Sequence, residues 1–246
     1  MKFVNLIFLL FSTFIFSQNL QVVYLLERKN DIYDIESKQT PCNYFYKENK
    51  SIFITEHSKV DSMFVDNSWI YAPNRSVTKK LDTGVILSFN DYNKDNKHKQ
   101  AVLDSVNFFT WNIDNQKKKK ILNYDCSYAT TTFRNRKYEV WFTYDIPIND
   151  GPWKLSGLPG FILEAYTDDN LYHYTAKKIF TDFKLPETID FDKFDKYEKI
   201  SFGEYEKKFK EYYIIRDESE KSANISANDK KNIKTRISTQ EIVIDY

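Results

Sequence analysis

The chain has 246 residues with 36 basic and 35 acidic side chains, so it carries no global field to steer it to nucleic acid or an anionic membrane. Aromatic residues make up 17% of it, mostly Tyr and Phe, a composition that suits half-buried sheet faces where planar side chains pack across strands.

Residues 1–17 read as a secretory leader: Lys2 gives a short positive start, Phe3 to Phe16 an apolar run, and Ser17 a small residue before a cut at Gln18. A membrane anchor is the rival reading, but a spanning helix needs about 20 apolar residues and this run is shorter. Cleavage there leaves a chain with balanced charge, expected in the periplasm or outside the cell with no transmembrane segment. Its length fits one large all-β domain or two small ones.

Leu20 to Leu26, Asn43 to Tyr46 and Ser51 to Glu56 have strand character, and Lys47-Glu48-Asn49-Lys50 reads as the hairpin turn between the last two. From Ser58 to Lys80 the signal weakens into a long polar loop with a few short elements, and Gly84 to Phe89 resumes strand character. Asn90 to Lys99 is charged, Asn-rich and aperiodic, as a loop is. Phe108 to Ile113 is aromatic, and the lysines 117–120 read as a solvated turn between strands. Tyr124 to Phe133 and Tyr138 to Tyr144 pair around Arg134-Asn135-Arg136, with Asn135 as the left-handed turn residue. Phe161 to Thr167 and Leu171 to Phe180 form the clearest hairpin, turning at Asp168-Asp169-Asn170. Phe202, Tyr205, Phe209 and Tyr212 then recur at helical steps, predicting an amphipathic helix over 201–216 capped by Ser201. Residues 217–246 form a polar C-terminal segment, with Ile242 to Ile244 as a candidate edge strand.

The densest signal lies between these elements. The chain has only five glycines and six prolines, and three of each fall between Ile146 and Gly160, where Gly151, Pro152, Gly157, Leu158, Pro159 and Gly160 specify one unusual backbone path. No ionisable side chain follows from Gly157 to Leu163, so the segment is expected to be a scaffold in which Lys154 and Ser156 matter little.

In order and spacing, Trp111, Ile121, Tyr124, Cys126, Ala129, Phe133, Arg136, Tyr138, Trp141, Thr143, Ile146-Pro147, Gly151-Pro152 and Gly157-Leu158-Pro159-Gly160 resemble the core of the GLPGLI family of exported Bacteroidota proteins. Phe161 stands where that family usually has Leu, Asn135 where a Gly is usual, and Tyr144 where Pro is common. The resemblance implies export and a β-rich fold and brings no activity with it.

Cys42 and Cys126 are the only cysteines, and an even count behind a leader favours a disulfide over two buried or free thiols or a reactive thiol at Cys126. The sequence has no zinc-protease helix, Cys-x-x-Cys, EF-hand loop, P-loop or nucleophile elbow, so neither a metal nor a cofactor is expected. Two readings of the glycine/proline segment stay open. Either it is a rigid crossover burying Trp153, Leu155 and Leu158, or it forms the lip of an apolar groove lined by Trp141, Trp153 and Phe161, with Arg136 offering a bidentate donor.

The expected fold is mainly β, a curved antiparallel sheet or half-barrel over residues 18–216 with one helix packed on it. The expected function is that of a non-enzymatic binding or scaffold protein for an apolar ligand or another envelope protein. The alternative is a secreted hydrolase whose catalytic residues are dispersed.

Overall fold

The structure, a computed structural model, describes residues 19–29, 38–56, 75–89, 99–181 and 184–211, together with short strands at 63–65, 68–70, 236–238 and 243–245. The leader therefore lies outside the described residues, as do 90–98 and 212–235, which include the part of the expected helix from Tyr212 onward.

Strands β1 (Leu20–Arg28), β2 (Lys38–Lys47) and β3 (Lys50–Thr55) are followed by a small ribbon of β4 (Met63–Val65) and β5 (Ser68–Ile70). Then come β6 (Arg75–Lys80), β7 (Val85–Phe89), β8 (Gln100–Ser105), β9 (Asn112–Ile121), β10 (Tyr124–Phe133), β11 (Arg136–Thr143), β12 (Phe161–Thr167), β13 (Tyr172–Thr181) and β14 (Glu198–Ile200). Twelve of them form one open sheet in the order β14-β8-β7-β6-β3-β2-β1-β13-β12-β11-β10-β9. Its neighbours are antiparallel except β14, which runs parallel to β8. A second ribbon pairs β15 (Arg236–Ser238) with β16 (Val243–Asp245), so the C-terminal strand joins its own partner and not the edge of the main sheet.

Local chemistry accounts for the hairpins. Glu48 and Asn49, Leu122 and Asn123, and Arg134 and Asn135 all have positive φ, the two-residue turn whose twist matches that of the strands it joins. The lysines 117–120 lie within β9 instead of forming a turn, and the reversal falls at Leu122-Asn123. β9 ends the sheet, and lysines along an edge strand blunt it against further pairing. Of the short elements expected in the polar stretch up to Lys80, β6 is central to the sheet, and its Ser76, Thr78 and Lys79 are buried.

The sheet curls. Asp104 on β8 pairs with Arg134 in the β10–β11 turn, although β8 and β11 lie eight steps apart in the sheet, roughly 38 Å if it were flat. The Tyr24 hydroxyl of β1 donates to the Ile162 carbonyl of β12 at 2.5 Å, across the intervening β13. Residues 144–160 run through the trough this curl creates. Trp153, Leu155 and Leu158 join the interior faces of the strands there in one apolar core.

A helix, α1 (202–211), follows β14. It opens with a capping box: Ser201 Oγ accepts from the Glu204 amide at 3.2 Å, while the Glu204 carboxylate accepts from the Ser201 amide at 2.8 Å. Phe209 is fully buried, and the Arg134 guanidinium sits 3.2 Å from the centroid of the Phe202 ring.

The expected disulfide is absent. Cys42 on β2 and Cys126 on β10 are free and buried, with β1, β13, β12 and β11 between their strands. Burial pushes the Cys42 thiol up to about 12 and the Cys126 thiol up to about 11, so both stay protonated at neutral pH. Each donates to a carbonyl two residues back in its own strand, that of Thr40 and that of Tyr124.

Candidate functional site

Two polar assemblies occupy opposite faces of the curled sheet. The inner one holds the glycine/proline segment in place. Asp150 is completely buried and ion-paired with Lys79 of β6, while its Oδ2 accepts from the hydroxyls of Tyr44 at 2.9 Å and Ser51 at 2.5 Å. The Lys79 ammonium also donates to the carbonyls of Gly151 at 2.8 Å and Leu155 at 3.3 Å. Burial draws Lys79 below its ordinary value and Asp150 pulls it back in part; burial and then the Asp150 charge push the Tyr44 and Tyr24 hydroxyls far up, so both remain donors.

A second buried knot ties the other end of the segment. Lys154 Nζ lies 2.6 Å from Asp104 Oδ2, with both side chains at 1% exposure, and Arg134 takes the other oxygen of Asp104. Burial lowers Lys154 to about 8 against the pull of Asp104. Lys154 is therefore a structural anchor, contrary to the reading that made it dispensable. Trp111 completes the hold by donating to the Ser156 carbonyl at 2.8 Å.

The glycines fit this path for distinct reasons. Gly157 has φ of 89°, which a side chain disfavours, and a Cβ on Gly160 would collide with the Thr143 carbonyl. Trp153 itself takes φ of 52°, an uncommon conformation for a bulky residue, and is fixed there by the Tyr138 ring stacked 6.0 Å away and the Phe133 ring at 5.9 Å.

The outer assembly is a ladder across β10 to β13. Side chains alternate along a strand, so Tyr138 faces Trp153 in the trough while Glu139 and Trp141 face out. Register sets two adjacent rows, Tyr128–Trp141–Glu164–Thr175 and Thr130–Glu139–Tyr166–His173. Glu139 Oε2 accepts from Tyr128 at 2.5 Å and Tyr166 at 3.2 Å, and Glu164 Oε1 lies 2.9 Å from His173 Nε2. The Tyr128 and Trp141 rings meet edge to face at 5.2 Å. Lys119 pairs with Glu164 and Lys137 with Glu139, while Lys117 lies 4.1 Å over the Tyr128 ring. The Tyr128 bond, with help from Lys137, holds the Glu139 carboxyl below its usual range. Burial would raise Glu164, but His173 and Lys119 outweigh it and hold it low. Both carboxylates are thus ionised acceptors whose own donors fix their orientation.

The four residues expected to line one groove are dispersed. Phe161 is buried with its ring 5.0 Å from that of Tyr44, Trp153 packs on Tyr138 and Phe133 in the trough, and Trp141 stands half-buried on the outer face. Arg136 pairs with Asp169 of the β12–β13 turn and lies 5.6 Å over the Tyr172 ring. Sequence reasoning missed Lys79, Asp104 and Asp150, and it missed the outer ladder beyond Trp141. The ladder's signal is the i, i+2 spacing of Glu139 and Trp141, Glu164 and Tyr166, and His173 and Thr175, a polar-aromatic alternation on adjacent strands.

Residues 27–204 match the family model described as N-glycanase peptide, N-terminal domain. The chain belongs to that family. No curated protein matches the sequence. Two crystal structures of PNGF-II, solved in different space groups, are similar in fold. Each is 16% identical and covers 78% of this chain, with TM-scores of 0.55 and 0.54. The chain spans only 33% and 32% of those proteins, so the likeness concerns one part of them. The MucA/MucB complex of Pseudomonas aeruginosa overlaps more loosely, at 8% identity over 69% of this chain and 54% of that one, with a TM-score of 0.36. No helix among the described residues is long and apolar enough to cross a membrane.

Proposed function

We propose that the chain is an exported, non-enzymatic binding or scaffold protein of GLPGLI type, built as one β-rich domain over 18–216, that engages an envelope protein or a ligand with an apolar face. The observation that carries this reading is the use made of the interior ionisable groups. Lys79, Asp150, Lys154, Asp104 and Arg134 are spent on holding the 144–160 segment, and both thiols are protonated. Half-buried side chains with defined orientations stand instead on the outer ladder around Trp141, which makes that face the recognition surface. Arg136, Trp153 and Phe161 serve it from behind by fixing the strands. The test is recovery of the mature chain from its own envelope with bound components identified by mass spectrometry. A component held by the native chain and lost from Trp141→Ala is the expected result; identical profiles from both would refute the reading.

The family description favours a second reading. Because the matching model is the N-terminal domain of an N-glycanase, the chain would act on glycopeptides or assist an enzyme that does. Release of free glycan from a glycopeptide by the purified chain, abolished in a variant that still folds, would establish it.

A further inference from the structure

The chain leaves the sheet after β13 and re-enters it as β14 beyond β8, with β1, β2, β3, β6, β7 and β8 between the two in the sheet order. Residues 184–200 make that crossing on the outer face. Val77 of β6 points into the trough core, so its neighbour Ser76 faces out, and there Lys193 Nζ donates to Ser76 Oγ at 2.7 Å. Ion pairs hold this strap to the strand ends: Lys50 of β3 lies 2.6 Å from Asp192, and Lys80 of β6 lies 3.3 Å from Asp192 and 2.5 Å from Asp195. One aromatic anchors it. Phe194 is buried against Leu87 of β7 and Ala101 of β8, in a cluster distinct from the trough core, with Phe89 and Tyr197 packed on it. β14 adds only three residues of parallel pairing to β8.

These holds are modest, and the ionic ones belong to water as much as to the protein. Lys50, Lys80, Asp192 and Asp195 keep between 26% and 44% of their side-chain surface exposed, so salt screens their pairing. Many of the strap's own hydrogen bonds close within itself. The Lys199 ammonium donates to the carbonyls of Phe194 at 2.7 Å, Asp195 at 2.9 Å and Tyr197 at 2.6 Å. The Asp195 amide bonds the Asp192 carbonyl at 2.8 Å and the Tyr197 amide the Phe194 carbonyl at 3.0 Å. The strap therefore keeps its shape when it leaves the sheet. At its far end α1 is pinned by the fully buried Phe209.

We propose that residues 184–200 form a salt-released strap, which lifts as a unit from β3, β6 and β7 with α1 as its hinge while the sheet stays folded. Lifting uncovers Leu87, Ala101 and Phe89. Leu103, paired with Leu87 and already 44% exposed, joins them in one apolar patch. The closed strap presents charge on this face and the open one an apolar surface, so the strap decides whether the face is adhesive. The device stands apart from the recognition surface around Trp141, and either can fail without the other.

The test is hydrogen exchange read by mass spectrometry on the mature chain, at low salt and in about 1 M NaCl, where the Debye length is about 3 Å. At low salt the amides of 188–200 are expected to exchange about tenfold or more faster than those of β1 and β13. High salt should speed them a further threefold or so and leave β1 and β13 unchanged. Lys80→Met should reproduce the high-salt rate at low salt, lose most of the further response, and raise the fluorescence of bound anilinonaphthalene sulfonate. Lys120→Met, at an exposed position on β9, should change neither readout in the strap. Phe194→Ala should open the strap further; should that chain fail to fold, Lys50→Met reads the same latch. Exchange of 188–200 together with β1 and β13, a salt response that survives Lys80→Met, or faster exchange with no gain in dye fluorescence each overturns the proposal.

Discussion

The trough and the outer ladder are built from the same residue types and put them to opposite uses. Inside, Asp150 and Lys79 are both fully removed from water, and every hydrogen-bonding position of the Asp150 carboxylate is filled by Lys79, Tyr44, Ser51 and the Gly151 amide. Outside, Glu164 also pairs with a lysine, but Lys119 is 43% exposed and its charge is shared with water. A buried pair is weak evidence of net stabilisation, yet removing one partner strands the other. A pair whose ammonium stays in water has less to lose when it is broken, although the Glu164 carboxylate itself is only 8% exposed. The lesson is that the chain spends its polar groups on shape inside and keeps them available outside.

Asp150→Ala breaks the contrast most severely, since it leaves an uncompensated ammonium in the trough; a loss of about 3–5 kcal/mol is expected by urea unfolding. The double variant Lys79→Met/Asp150→Leu should recover much of it, and a single variant as mild as Lys119→Met would show that the trough is not dry. Phe209→Ala tests the same inside-outside division on α1. It should cost about 3–5 kcal/mol, against less than about 0.5 kcal/mol for Lys210→Ala on the exposed side, and similar melting temperatures for the two would refute the packing. Gly157→Val probes the backbone path and should cost about 1–3 kcal/mol, because a β-branched residue is disfavoured at its positive φ.

Lys154 gives a pH signature of the interior. Its folded value of about 8 lies below the ordinary 10.5, so between the two the unfolded chain keeps a proton that the folded chain has released. Its contribution is complete above the unfolded value and is lost as pH falls through about 8. The stability difference between native chain and Lys154→Met should therefore grow from pH 8 towards 10, by at most about 1.4 kcal/mol per unit; a flat difference would mean that Lys154 stays charged. Glu164 runs the other way in origin, a carboxyl held low, so its contribution is present above the ordinary carboxylate range and lost on acidification. Glu164→Gln should flatten that acid limb slightly. Lys119→Met, the mildest change, should cost less than about 1 kcal/mol and lose its effect in high salt.

Strand-level order was largely legible in the amino-acid sequence. The turns at Glu48-Asn49 and Arg134-Asn135, the β12–β13 hairpin, the cap at Ser201 and the buried face of α1 follow from local chemistry, where a residue type prefers a dihedral angle or a period places a face. The density of glycine and proline between Gly151 and Gly160 likewise announced a constrained path. Only the curl of the sheet decided the rest. It brings β8 to the β10–β11 turn and β6 to Asp150, and so makes Lys79, Asp104 and Lys154 into buried partners. It separates Trp141 from Trp153 and Phe161, which sequence proximity had grouped, and keeps Cys42 and Cys126 on strands that are not neighbours. Period and turn chemistry act over a few residues, whereas these outcomes depend on distances across many strands, and those are set when twist and packing close the trough around its filling.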